Sequence, residues 1–208
     1  MKKIIPIFPL SLVVFPLSRY PLHIFEPRYK KLINHCRKGK TGFGIVTTVD
    51  KEFHEIGCYV EIDEVLDLSE SGEMKVIIRG VERFKMTEKW LNHETGYYIA
   101  EVELYDDLRY SYNPILFLEA KNIFQQLIKR INYELDDSFW NNLVLSDLKS
   151  FKLAEKSGFS LAQQLALLEF RDEGERLNYI IAHLQQLEKY LDAKSSITKL
   201  TINDGYIN

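Results

Sequence analysis

The stretch from Ile4 to Tyr29, IIPIFPLSLVVFPLSRYPLHIFEPRY, restricts this chain more than any other. It holds five of the six prolines in the 208 residues: Pro6, Pro9, Pro16, Pro21 and Pro27. Proline fixes φ, lacks an N–H, and pushes the residue before it toward extended geometry. A helix is therefore excluded, and short extended pieces joined by stiff turns are expected, with the large apolar side chains directed into a core. Met1-Lys2-Lys3 ahead of an apolar run has the outline of an export leader. Pro6, Pro9 and Pro16 would break its helix, however, and Leu17-Ser18-Arg19-Tyr20 offers no small-x-small cleavage site. The segment is read as folded strand. No apolar run reaches the ~18 residues that span a bilayer. Cys36 and Cys58 are too few for a disulfide framework, so a cytoplasmic location and no membrane contact are expected.

The pattern along the chain changes once. Glu26 and Pro27 open a helix over 26–38, with Tyr29, Leu32, Ile33 and Cys36 on one face, cations near its end, and Gly39 as its stop. Phe43–Val49 is β-rich. Gly57–Leu68 alternates, with Val60, Ile62, Leu66 and Leu68 on one face and acids opposite. Ser69–Gly72 turns it, Glu73–Val81 returns as a hairpin, Arg83–Trp90 continues extended, and Tyr97–Leu104 is a further strand. Beyond Asp106 the spacing is helical. Asn113-Pro114 starts a helix through about 131, and Asp136-Asp137-Ser138 starts one carrying Trp140, Leu143, Val144 and Leu148 inward until Gly158. Ser160-x-x-Gln163 is a capping box, and Asp172 with Glu175 opens the last helix, striped by Leu177, Ile180, Ile181, Leu184, Leu187 and Leu191. The fold class is α+β: a β-rich domain at 1–108, an all-α bundle at 109–191, and a loose polar tail at 192–208.

Pro6-x-Phe8-Pro9-Leu10 through Val13-x-Phe15-Pro16, then Pro21-Leu22-His23-Ile24-Phe25-Glu26-Pro27-Arg28-Tyr29, resemble the N-terminal substrate-binding domain of Lon proteases. Gly80-x-x-Arg83-Phe84, and Leu167-Leu168-Glu169 with Arg176-Leu177, echo that family downstream, so the resemblance covers roughly residues 4–190. It implies a PUA-like β-rich domain and a role in protein quality control: recognition of exposed apolar polypeptide segments, with a separate ATPase or protease as a possible partner. The ATPase and Ser–Lys peptidase modules of full-length Lon do not fit in this length, so peptidase activity is not carried over.

The residues offer little chemistry. Lys38-Gly39-Lys40-Thr41 has the end of a phosphate loop, but position 34 is asparagine where glycine is needed, and a helix precedes it. His35-Cys36 and His54 with Cys58 lack the spacing of a zinc site. No nucleophile elbow appears. No enzyme, cofactor or metal is expected. The candidate groove is Pro21, Leu22, His23, Phe25, Glu26, Arg28 and Tyr29, beside a stiff apolar segment that also holds Phe8, Leu12 and Phe15. Extended peptides join unpaired strand edges while apolar anchors fill pockets, which is the mode expected here.

The net charge of −3 is unevenly spread: +8 over residues 1–40, −10 over 41–108, and −1 thereafter. The alternative reading is an RNA-binding protein that uses the basic 26–40 helix, with Lys30, Lys31, Arg37, Lys38 and Lys40 on phosphates. The acids at 50–107 weigh against nucleic acid.

Overall fold

The computed structural model describes residues 2–69, 72–108 and 113–203, and Leu68 and residues 195–203 in backbone only. Its strands are β1 (Lys2–Leu10), β2 (Arg19–Ile24), β3 (Phe43–Val49), β4 (Glu52–Leu68), β5 (Met74–Leu91) and β6 (Tyr98–Leu104). Its helices are α1 (Pro27–Gly39), α2 (Pro114–Arg130), α3 (Asp137–Leu145), α4 (Lys149–Ala154), α5 (Leu161–Glu169) and α6 (Glu173–Asn203). The fold class is α+β. The chain divides into two compact units, Met1–Leu108 with Gly158–Arg171, and Arg109–Ser157 with Asp172–Asn208.

In the first unit the six strands run in the order β2-β5-β4-β3-β1-β6, and β5 also pairs with β6. The sheet thereby closes on itself through β5, β4, β3, β1 and β6, leaving β2 appended beside β5. The proline-rich segment supplies β1 and β2. β1 lies between β3, parallel to it, and β6, antiparallel. Alternation along β1 sends Ile5 and Ile7 to one face and Phe8 to the other. Ile5 and Ile7 join Val46, Phe84, Met86, Ala100 and Val102 inside the closed sheet. Phe8 joins the outer face, which α1 covers with Tyr29, Leu32, Ile33 and Cys36. Phe8 and Tyr29 stack with ring centroids 3.8 Å apart.

The Gly80-x-x-Arg83-Phe84 element occupies the middle of β5, and each named residue has a packing task. A Cβ on Gly80 would sit 2.2 Å from the Phe15 carbonyl oxygen, so only glycine admits the turn after Phe15. That turn is held by Leu17 N–H donating to Gly80 O and Gly80 N–H donating to Ser18 O, each at 2.9 Å. Leu17 itself takes φ 66°, a left-handed conformation uncommon outside glycine. Phe84 fills the barrel against Gly44 and Gly57, where added Cβ atoms would come within 2.7 and 2.5 Å of its Cζ. Arg83 points the other way and holds α5. Its guanidinium donates to Leu168 O at 2.6 Å and Phe170 O at 2.7 Å, and pairs with the Asp107 carboxylate. These are carbonyls at the open end of a helix, which need donors. Arg171 Nε donates to Asp106 O, and Tyr105 Oη to Glu169 O.

The second unit packs α2, α3, α4 and α6. Asn113 caps α2 through the Ile115 N–H, and Asp136 caps α3 through the Phe139 N–H. The buried Glu173 carboxylate accepts from Ser150 N–H and Oγ–H and pairs with Arg176 at 2.8 Å, so each charge meets a partner.

Several expectations need correction. Segment 158–171 groups with the β-rich unit, not with the bundle. The helix expected from 136 to 157 is two, broken at Ser146–Leu148, and Val144 is 55% exposed, not inward. β4 begins at Glu52, and register shifts between Ile62 and Glu64 and between Val65 and Asp67 rotate its faces. Val65 then packs on the core while Leu66 is exposed, against the simple alternation. The last helix continues to Asn203, past the expected limit at 191; residues 204–208 of the expected tail lie outside those described.

Candidate functional site

β2 pairs only with β5 among the described residues, in register from Arg19 opposite Arg79 to Ile24 opposite Met74. The Gly80-to-Ser18 hydrogen bond sets the phase of that ladder. Alternation from it directs the backbone groups of Tyr20, Leu22 and Ile24 toward β5 and those of Arg19, Pro21 and His23 outward. Pro21 therefore sits where its missing N–H faces away from the sheet, the placement an edge strand tolerates.

The seven candidate residues separate by burial. Leu22 and Tyr29 are buried in the outer-face core. Pro21, His23 and Arg28 are exposed, Glu26 is half-buried, and Phe25 is 57% exposed at the end of the edge. Of the neighbouring apolar residues, Phe8 and Phe15 are buried and Leu12 is half-buried. The surface is thus Pro21, His23, Phe25, Glu26 and Arg28, with Leu22 and Tyr29 buried beneath it. The His23 and Phe25 rings lie 5.8 Å apart, and His23 Nε2 is 3.3 Å from Glu73 Oε2. Glu26 does not cap α1 with its side chain; its carbonyl accepts from Tyr29 and Lys30 N–H, each at 3.0 Å. Its carboxylate instead takes Arg28 Nη2 at 2.7 Å and Nε at 2.9 Å. Arg28 also lies over the Tyr29 ring, 4.6 Å from its centroid. Burial raises the Tyr29 phenol pKa, and the nearby guanidinium opposes this. Pro27 starts α1 at its first turn and fixes where this cluster leaves the sheet.

The phosphate-loop remnant is a helix end. Lys40, at φ 50°, is the left-handed cap in place of Gly39, and Lys40 and Thr41 N–H bond back to Arg37 O and Cys36 O. The cations there do not form a uniformly positive face. Arg37 and Lys40 line a groove of about 490 Å³ whose other wall carries Glu61, Asp63 and Glu64. His35 bonds Tyr97 Oη at 3.0 Å, and His54 Nε2 pairs with Glu169 at 2.9 Å. No group of three His, Cys, Asp or Glu side chains able to hold a metal occurs among the described residues. No described helix is long and apolar enough to cross a membrane. Sequence reasoning missed the Arg83 clamp on α5, although the motif containing it was visible. It also missed a second cavity, of about 310 Å³, at one end of the barrel.

Comparison with known proteins places these features. The model of the ATP-dependent protease La (LON) substrate-binding domain matches residues 4–186. A crystal structure of a Lon N-terminal domain protein from Xanthomonas campestris is similar at 26% identity and a TM-score of 0.68, over 86% of this chain and 98% of that one. The N-terminal domain of a Lon protease from the Mycobacterium avium complex shares the fold at 18% identity and a TM-score of 0.70, over 88% of this chain and 98% of that one. With the family model spanning nearly all of the folded chain, this protein belongs to the LON substrate-binding domain family.

Proposed function

We propose that this chain is a non-catalytic recognition module that captures exposed apolar segments of other polypeptides in extended form, along the outer edge of β2. The observation that carries the reading is Phe25, a large apolar side chain left 57% exposed where that edge ends. A client strand laid beside His23 and Phe25 finds outward backbone groups for hydrogen bonds and an aromatic anchor for an apolar side chain. Glu26 and Arg28 frame the anchor and satisfy each other when no client is present. Pro21 has a complementary part. It interrupts the row of donors, so two copies of β2 cannot zip together along their length. Membership of a substrate-binding family supports a polypeptide as the ligand.

The test is a titration of this protein with an unfolded casein-like polypeptide, followed by fluorescence anisotropy. Covering a Phe side chain contributes about 1.5–3 kcal/mol, so Phe25→Ala should weaken binding by roughly ten- to a hundredfold. No saturable binding, or equal affinity for the variant, would remove the basis of the reading.

A further inference from the structure

The closed sheet holds a cavity among its inward side chains. Phe84 occupies its middle, between Gly44 and Gly57. Beyond Phe84 the interior opens into the cavity of about 310 Å³. Its lining follows strand alternation: Lys3 and Ile5 from β1, Glu82 and Phe84 from β5, Val102 and Leu104 from β6. Tyr59 completes the wall, its hydroxyl fixed by the Gly42 N–H at 2.6 Å. The floor is apolar, since Ile5, Phe84 and Val102 are buried. The rim is charged: Lys3 Nζ and Glu82 Oε1 are 3.4 Å apart, with side chains 59% and 37% exposed. A pair so open to water is weak and exchanges readily for another partner. Barrel mouths are frequent ligand sites, and this volume lies at their lower bound, enough for one small apolar group.

We propose that this mouth binds the free N-terminus of a polypeptide whose first residue is apolar. The first side chain enters between Ile5, Phe84 and Val102. The α-ammonium takes the place of Lys3 on Glu82, and Lys3 donates to the first peptide carbonyl. The rim thus offers one anion and one cation to a group that presents a cation and an acceptor beside an apolar side chain. The proposal takes from the reading above only that the ligand is a polypeptide; the site is separate from β2.

The probe is a leucine-headed tetrapeptide amide, titrated calorimetrically into the full chain alongside its N-acetylated form and free leucine. The free peptide should bind saturably. Acetylation removes the ion pair to Glu82 and should weaken binding by about two- to fivefold. Leu104→Trp, at a lining position 49% exposed, should fill the mouth and abolish binding, and Glu82→Gln should weaken it by about two- to fivefold. Glu82→Gln, on an exposed rim, keeps the test valid if the tryptophan variant folds poorly. Equal binding of the acetylated peptide, no saturable binding, or equal affinity for free leucine would each overturn the proposal. The last result would make the mouth an amino-acid site. Binding of an N-acetylated unfolded polypeptide through Phe25 should be unchanged in Leu104→Trp, so failure at one site is distinguishable from failure at the other.

Discussion

Replacing Arg83 by alanine tests how α5 is held to the barrel. Arg83 is 5% exposed, and its guanidinium serves Leu168 O, Phe170 O and the Asp107 carboxylate at once. The Asp107 side chain is itself only 3% exposed. Breaking a buried pair by removing one partner costs about 3–5 kcal/mol, because the remaining charge stays out of water. Each carbonyl stripped of its donor adds about 1 kcal/mol where water does not reach it. The cost falls first on the Gly158–Arg171 segment, whose other ties to the barrel include Arg171 to Asp106 O and Tyr105 to Glu169 O. Hydrogen exchange followed by mass spectrometry, paired with urea unfolding, reads both effects. The expected outcome is a loss of protection over 161–169 and about 5–7 kcal/mol of lost stability. Adding Asp107→Asn removes the buried charge that Arg83 balanced and should recover part of that loss, so the two substitutions will not be additive. A loss under about 1 kcal/mol, with α5 still protected, would refute the reasoning.

Other outcomes follow from the same contacts. Gly57→Ala places a methyl 2.5 Å from Phe84 Cζ and 2.6 Å from Ile45 O, and should cost about 1–3 kcal/mol by thermal unfolding. Ser160→Ala removes the capping box with Gln163 at the start of α5 and should cost about 1 kcal/mol in urea. Burial pushes the Cys36 thiol up to about 11 and the Cys58 thiol up to about 12, from 9.0. Both should resist a thiol reagent at pH 8 until the protein unfolds. The unfolded chain releases these protons first, so their contribution to stability is full below pH 9.0 and is lost as pH rises toward 11–12; urea midpoints across that range should fall.

Local chemistry made much of the fold legible. Proline spacing excluded a helix before Glu26, Pro27 marked the start of α1, and Asn113, Asp136 and Ser160 marked three others. Such signals act over one turn and survive without tertiary context. What escaped is non-local. Leu161, Leu165 and Leu168 make a stripe whose spacing is the same whether it faces a bundle or a barrel; one tie to the barrel comes from Arg83, 85 residues away from Leu168. The shifts in β4 arise from its pairing with β5, so its own alternation misplaced Leu66. In the candidate groove, Leu22 and Phe25 read alike as apolar, yet Leu22 faces the core and Phe25 lies at the surface one residue past the strand.

Amide hydrogen exchange during titration with an unfolded casein-like polypeptide reports most directly on whether β2 receives a client. New protection over Arg19–Glu26, absent in Phe25→Ala, is the expected result. Saturable binding with exchange over those residues unchanged would contradict it.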